Sequence, residues 1–186
     1  MYEVTTARRS RAIAAMIEGF FAVMWLSWGQ GSAPSWLNRP VFVASVVSLV
    51  VVVAGLVATI RTRGDGAGIP DVAMRSRYNL IVGLEVVLIA GGAAVLGATG
   101  LNRWIIVWVC AVVGIHFVPL AAVFRGLHLV PLGILVTAMA VTALIVGATT
   151  SVTPGGIAGL GAGGCLLVAG IVHLGELQQR RGVQPA

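Results

Sequence analysis

Six apolar runs of about twenty residues each follow one another along this chain, separated by short segments rich in Arg, Pro or Gly. An α-helix that rises 1.5 Å per residue needs about 20 apolar residues to cross about 30 Å of hydrocarbon. A strand of a membrane β-barrel needs only about ten, with alternating polarity. The runs therefore predict an all-α bundle of six transmembrane helices, forming one integral membrane domain over residues 1–186. They extend over Ala12–Trp28, Val41–Ile60, Tyr78–Thr99, Trp104–Phe124, Leu129–Thr149 and Gly155–Leu177.

The composition makes the lipid bilayer the main partner of this chain. Apolar residues make up 58% of it and charged residues only 10%, whereas soluble domains carry about 25% charged residues. A net charge of +6 can be typical of a nucleic-acid binder. However, the arginines lie at the ends of the apolar runs and not in one patch, so we expect no nucleic-acid partner.

The arginines also predict the orientation. All 12 basic residues are Arg, and cytoplasmic loops of membrane proteins carry an excess of basic residues. If the N-terminus is cytoplasmic, only Arg39 and Arg103 lie outside. The other ten then lie inside, which predicts a multi-pass protein of the cytoplasmic membrane with both termini in the cytoplasm. These ten are Arg8, Arg9, Arg11, Arg61, Arg63, Arg75, Arg77, Arg125, Arg180 and Arg181.

The first two hairpins share short landmarks at offsets of 64 to 67 residues. These offsets indicate a duplicated two-helix hairpin, with repeats over 10–63 and 76–125 and a third hairpin over 128–178. Coincidence in a sequence of biased composition is the alternative. The matching landmarks are Ser10-Arg11 with Ser76-Arg77, Glu18 with Glu85, and Leu37-Asn38-Arg39 with Leu101-Asn102-Arg103.

Four ionisable residues interrupt four different apolar runs: Glu18, Glu85, His116 and His173. Each lies seven to nine residues from an arginine that bounds its run, which places it about 10–14 Å from the cytoplasmic arginine level. Glu176 follows His173 on the same helix face, nearer the interface. A charge in the hydrocarbon costs at least about 2.5–3.5 kcal/mol. We therefore expect these side chains to face inward and to share protons, water or a cation as one proton-, cation- or substrate-binding layer.

The sixth run is rich in glycine between Gly155 and Gly164. Small residues in a membrane helix let neighbouring backbones approach closely. Close packing is one interpretation of this run, and a flexible or broken helix beside a substrate path is the other.

The residues leave three functions open. The first is a proton- or cation-coupled transporter of a small solute that uses the Glu and His layer. The second is a non-catalytic accessory or scaffold protein, acting in a membrane complex or as a homodimer, in which the same side chains fix helix packing. The third is an intramembrane metal protein or enzyme, with a divalent ion on the same five residues. The sequence contains no P-loop, GxSxG or HExxH motif, so no motif requires a cofactor or indicates an enzyme.

Overall fold

The chain forms six α-helices in a computed structural model that describes residues 2–62, 72–124 and 128–179. All six are long and apolar enough to cross a membrane, and the described ranges contain no strand. The prediction of an all-helical chain with six helices long and apolar enough to span a membrane is therefore confirmed, and these helices are consistent with a multi-pass membrane protein. Short 3-10 turns, Ser35–Leu37 and Asn102–Trp104, precede the second and fourth helices. The helices are α1 (Tyr2–Gln30), α2 (Asn38–Arg61), α3 (Val72–Ala98), α4 (Ile105–Phe124), α5 (Leu129–Thr149) and α6 (Pro154–Gln179).

Two helices begin six or more residues before their apolar runs. The first begins at Tyr2 and not at Ala12, and the third begins at Val72 and not at Tyr78. An α-helix satisfies the hydrogen bonds of its own backbone, and Arg has a high helix propensity. Helical structure can therefore continue beyond the apolar run. Most of the predicted loop between the second and third spans lies outside the described residues. The same is true of Arg63, Arg125, Arg180 and Arg181.

The glycine-rich helix α6 lies at the centre of the bundle and packs against α1, α5, α2 and α4. Gly159 faces Gly29 of α1 so closely that a Cβ atom built on it would lie 2.5 Å from the Gly29 Cα. Gly163 packs against Leu26 of α1, and Gly161 packs against Met139 of α5. Because α6 is also continuous from Pro154 to Gln179, these contacts favour the close-packing interpretation of its glycines.

Helices α1 and α2 form a hairpin that rests on α6. Glycine again sets the approach, because Gly19 lies against the Ser48 carbonyl of α2, and Gly55 lies against the backbone of Met16. We call the end of the bundle where α1 begins and α6 ends the Arg11 end. The opposite end, where α4 begins, is the Arg103 end.

Helix α3 lies at the edge of the bundle, where its main neighbour is α4. The Trp108 indole of α4 donates a hydrogen bond to the Leu88 carbonyl of α3 at 2.9 Å. Gly92 leaves the space that this indole occupies. Most other α3 side chains face outward, with Leu80, Val87 and Val95 more than half exposed, and in a membrane this surface faces lipid.

The two hairpins of the predicted duplication pack through different faces. Helix α1 uses its Gly19 face against α2 and its Glu18 face against α6. Helix α3 turns its Glu85 face toward α4, its own hairpin partner. The duplication therefore stays a prediction from the sequence.

Candidate functional site

A buried carboxylate–imidazole pair joins α1 to α6. The Nδ1 atom of His173 and Oε2 of Glu18 form a hydrogen bond with a distance of 2.7 Å between them. The Glu18 and His173 side chains are only 7% and 6% exposed. A hydrogen bond of this length gives each buried group a polar partner where lipid and protein exclude water.

Helical spacing places these two residues on the packed faces of their helices. Glu18 lies three residues after Ala15 and four before Ala22, and all three are buried. His173 follows Leu166 and Gly170 at the same kind of spacing on α6. Residues three and four apart lie on one helix face. Gly170 keeps that face open, because a Cβ there would lie 3.6 Å from the Glu18 Cβ and 2.9 Å from Val51.

Two further contacts extend this pair to the Arg11 end. The His128 ring stands edge-on to the His173 ring, with centroids 4.7 Å apart and planes at 81°. Beside them, Nε of Arg11 lies 2.8 Å from Oε2 of Glu176. We call these five residues, Arg11, Glu18, His128, His173 and Glu176, the terminal cluster.

His128 is the member of the terminal cluster that lies outside the membrane spans. Its burial lowers the pKa of the imidazole, and the neighbouring His173 lowers it further. The carboxylates of Glu18 and Glu176 act in the opposite direction and raise it. The neutral form of His128 is therefore favoured, which leaves the ring able to accept a proton and pass it on.

Sequence reasoning assigned neither His128 nor Arg11 to a site. Arg11 entered only the predictions of orientation and duplication. A signal for both was present, since short loops return α1, α5 and α6 to the same end of an antiparallel bundle. The depth of Glu176 close to the arginine level also indicated an ion pair there.

A second carboxylate–imidazole pair joins α3 to α4. Oε2 of Glu85 lies 3.3 Å from Nδ1 of His116, and their side chains are 18% and 11% exposed. This is ion-pair distance, but the buried Nδ1 atom makes no hydrogen bond within the described part of the chain. The rings of Tyr78 and Phe124, with centroids 5.7 Å apart, pack between the same two helices. The second pair is thus more open and less completely satisfied than the first.

The structure arranges the four predicted layer residues as two separate pairs. One pair belongs to α1 and α6, the other to α3 and α4, and no hydrogen bond or ion pair among the described residues joins them. Within the same ranges, no three His, Cys, Asp or Glu side chains come close enough together to hold a metal ion. Helix depth could be calculated from the sequence, but the direction in which each side chain points around its helix depends on packing.

In each pair, either the carboxylate or the imidazole can hold a proton. The proton can move between them without leaving an isolated ion. A carboxylate stabilises a protonated imidazole, and a protonated carboxyl group can share its proton with a neutral one. Such pairs inside a membrane are typical of proton relays, and they also serve as hydrogen-bonded links between helices.

The six apolar helices and the buried ionisable pairs define a multi-pass membrane protein with polar groups inside its helical bundle. No protein-family model, curated protein or solved structure matches the chain significantly. Comparison with known proteins therefore does not identify its class more closely.

Proposed function

We propose that this protein is a proton-coupled transporter of a small solute, in which the Glu18–His173 pair binds the coupling proton. The observation that carries the proposal is the continuity of the terminal cluster. The ring of His128, which is exposed at the surface, contacts the ring of His173. His173 in turn is hydrogen-bonded to the buried Glu18. Ionisable groups inside a membrane are costly and commonly mark ion or proton pathways.

Protons reach the pair from one end of the bundle. Beyond Glu18, toward the Arg103 end, the α1 face continues with buried Ala22, Trp25 and Leu26. These side chains pack against the glycine face of α6 and leave that half of the interface apolar. Release of a proton to the other side therefore requires the contact between α1 and α6 to open, as expected for alternating access.

We assign the Arg11 end to the cytoplasm on the strength of the arginine distribution. In this orientation the terminal cluster exchanges protons with the cytoplasm. The apolar half of the α1–α6 contact forms the barrier toward the outside.

The Glu85–His116 pair is the proposed contact for the solute or a cation. It is the more exposed of the two pairs, and the buried Nδ1 atom of His116 makes no hydrogen bond in the described residues. It also lies beside α3, the helix that is least enclosed by neighbours. A polar group with an unused hydrogen-bonding capacity is costly in an apolar site unless a ligand or water satisfies it.

A structural role is the second candidate function. The Glu18–His173 pair lies in the most extensive helix contact of the bundle, between α1 and α6. Hydrogen bonds between membrane helices stabilise their packing. In this role the protein is a scaffold or an accessory subunit, and protonation of the pair is not coupled to transport.

Proton release from purified protein distinguishes the two candidates. Weakly buffered, detergent-solubilised protein is mixed with a panel of organic cations, amino acids, sugars and divalent metal salts, and a pH-sensitive dye reports released protons. We expect at least one solute to release protons from the wild type but not from Glu18→Gln. Glu3→Gln, which changes a carboxylate ahead of the first apolar run, serves as the control and should behave like the wild type.

The solute identified in this way is then tested for uptake into proteoliposomes under a pH gradient. Uptake that depends on the gradient and on Glu18 supports transport. If no solute of the panel releases protons, and if Glu18→Gln differs from the wild type only in stability, the structural role is favoured. Metal retained by the wild type on gel filtration but lost from Glu85→Gln would instead favour a metal site.

A further inference from the structure

An apolar groove opens to the bilayer near the Arg103 end. Helices α3 and α5 scarcely touch each other, although both pack on α4, and the groove lies between them with α4 as its floor. Its volume is about 480 Å³, within the range of about 300–1,000 Å³ that holds small ligands. The floor is formed by Trp104, Val107, Trp108 and Ala111, and the walls include Leu96 and Leu144.

The groove is held open by specific contacts. The Trp108 indole hydrogen-bonds to the Leu88 carbonyl, which fixes the ring against α3 and leaves its other edge toward the groove. At the end of α3, Gly100 adopts a left-handed conformation with φ of 75°. This conformation turns the chain so that Leu101 reaches the groove wall and its N–H bonds back to the Leu96 carbonyl at 2.7 Å. Such a helix end is typical of glycine.

A fixed positive charge stands at the end of this groove. The Arg103 guanidinium lies over the Trp104 ring, 4.7 Å from its centroid. It also donates to the Gly147 carbonyl, one turn beyond the groove residue Leu144. A guanidinium has five N–H donors, so the bond to Gly147 leaves others for a ligand.

We propose that this groove binds one acyl chain of an anionic phospholipid, with the phosphate at Arg103. The apolar side chains suit a hydrocarbon chain, and the opening faces the bilayer from which such a chain can enter. Arg pairs with phosphate through several donors in a fixed geometry. Its position beside an interfacial Trp places this charge at headgroup level.

The other arginine predicted on the outer side provides a control for this site. Arg103 is one of only two arginines predicted on the outer side, and Arg39 occupies the corresponding Leu-Asn-Arg segment at the start of α2. Arg39 lies on α2, and no residue of α2 lines this groove. Arg39 is therefore a matched control for charge at the same interface but away from the groove.

The test is native mass spectrometry of delipidated protein titrated separately with dioleoyl phosphatidylglycerol, dioleoyl phosphatidylcholine and oleate. We expect one phosphatidylglycerol molecule per chain, bound about fivefold more tightly than phosphatidylcholine, which corresponds to about 1 kcal/mol for one arginine near an anionic surface. Arg103→Gln should lower phosphatidylglycerol binding to the phosphatidylcholine level. Arg103→Lys should retain part of the preference, and Arg39→Gln all of it.

A groove-filling variant tests the acyl-chain part of the proposal independently of charge. Ala111→Phe should weaken both phospholipids while its gel-filtration profile stays that of the wild type. Equal binding of the two phospholipids to the wild type would overturn the proposal, as would an Arg39→Gln variant as impaired as Arg103→Gln. Tighter binding of oleate than of phosphatidylglycerol would also overturn it and assign the groove to free fatty acids.

Discussion

At the scale of single residues, the bundle depends on how each ionisable group is satisfied. The Glu18–His173 pair is buried and has its two closest polar atoms 2.7 Å apart, whereas the Glu85–His116 pair is more exposed and has them 3.3 Å apart. Removing one partner of a buried pair is costlier than the pair is stabilising, because the remaining group is left buried and alone. The two pairs should therefore respond differently to the same substitution.

Replacement of Glu18 by Leu leaves His173 without its acceptor. We expect the free energy of unfolding to fall by about 3–5 kcal/mol. Glu18→Gln keeps a carbonyl that can accept from Nδ1 and should cost only about 1 kcal/mol. Glu85→Leu should cost less than Glu18→Leu, because its pair is more exposed. Denaturant titration in detergent measures all three, and an equal loss for the two Leu variants would contradict this ranking.

His128 makes the stability of the protein depend on pH. Burial and the neighbouring His173 lower the pKa of His128 in the folded protein below its value near 6.5 in an unfolded chain. Between the two pKa values the unfolded chain binds more protons at this position. The contribution of His128 to stability is thus fully present above the unfolded pKa and falls as the pH drops toward the folded pKa.

The substitution His128→Gln removes this pH-dependent contribution to stability. We expect the difference in melting temperature between wild type and variant to change as the pH is lowered from 7.5 to 5, with the wild type losing more. Thermal unfolding in one detergent across that range measures the difference. Parallel melting curves at every pH would show that His128 does not titrate differently on folding.

Sequence reasoning found the ionisable residues of the terminal cluster that interrupt apolar runs, because a carboxylate or imidazole is conspicuous there. It missed His128, which lies between two runs and looks like an ordinary loop residue. It also predicted one shared layer where the structure has two pairs. Spacing along a helix gives depth at 1.5 Å per residue, but the neighbour that a side chain meets depends on which helices pack together.

At the scale of helices, the glycines of α6 are of two kinds. Gly159 lies against the Gly29 backbone, whereas nothing lies within 4 Å of the space for a Cβ on Gly164. Both belong to the same continuous helix and to the same apolar segment, so they form a matched pair for substitution.

We expect Gly159→Ala to lower the free energy of unfolding by about 1–3 kcal/mol, because an added methyl group forces α1 and α6 apart. Gly164→Ala should raise it by about 0.5–1 kcal/mol, since Ala restricts the unfolded chain and favours the helix. Unfolding in mild detergent with increasing denaturant compares the two. Similar effects of both substitutions would mean that helix propensity, and not the α1–α6 contact, governs this segment.

The helices themselves followed from the sequence more completely than their arrangement. Run length and hydropathy predicted all six, since the bilayer sets the length of an apolar helix. The central position of α6 and the peripheral position of α3 were not predicted. Both helices are apolar and contain glycine, and a packed glycine can be told from an exposed one only by its contacts, such as those at Gly159, Gly163 and Gly92.

At the scale of the whole molecule, the two ends of the bundle differ in chemistry. The Arg11 end carries the terminal cluster, with its ion pair and its two imidazoles in edge-to-face contact. The Arg103 end carries the apolar groove and a single arginine anchored at its mouth. The proposed proton exchange at one end and the proposed lipid binding at the other would both require the protein to keep one orientation in the membrane.

Single cysteines test that orientation. Ser35 lies between α1 and α2 at the Arg103 end, and Thr62 follows α2 at the Arg11 end. The ten arginines predicted on the Arg11 side outnumber the two on the other side, so the Arg11 end should remain in the cytoplasm. We therefore expect a membrane-impermeant maleimide to label Ser35→Cys in intact cells, and to label Thr62→Cys only after the cells are opened.

The controls are the wild type and a second site at the Arg103 end. The native thiols are buried at Cys110 and partly buried at Cys165, so the wild type should label weakly in both conditions. Ser151→Cys, between α5 and α6, should behave like Ser35→Cys because an even number of spans separates the two loops. Labelling of Thr62→Cys in intact cells would show that the bundle has the opposite orientation, with the Arg11 end outside. The terminal cluster would then exchange protons with the outside, and Arg103 would face the cytoplasmic leaflet, where anionic lipids attract basic residues.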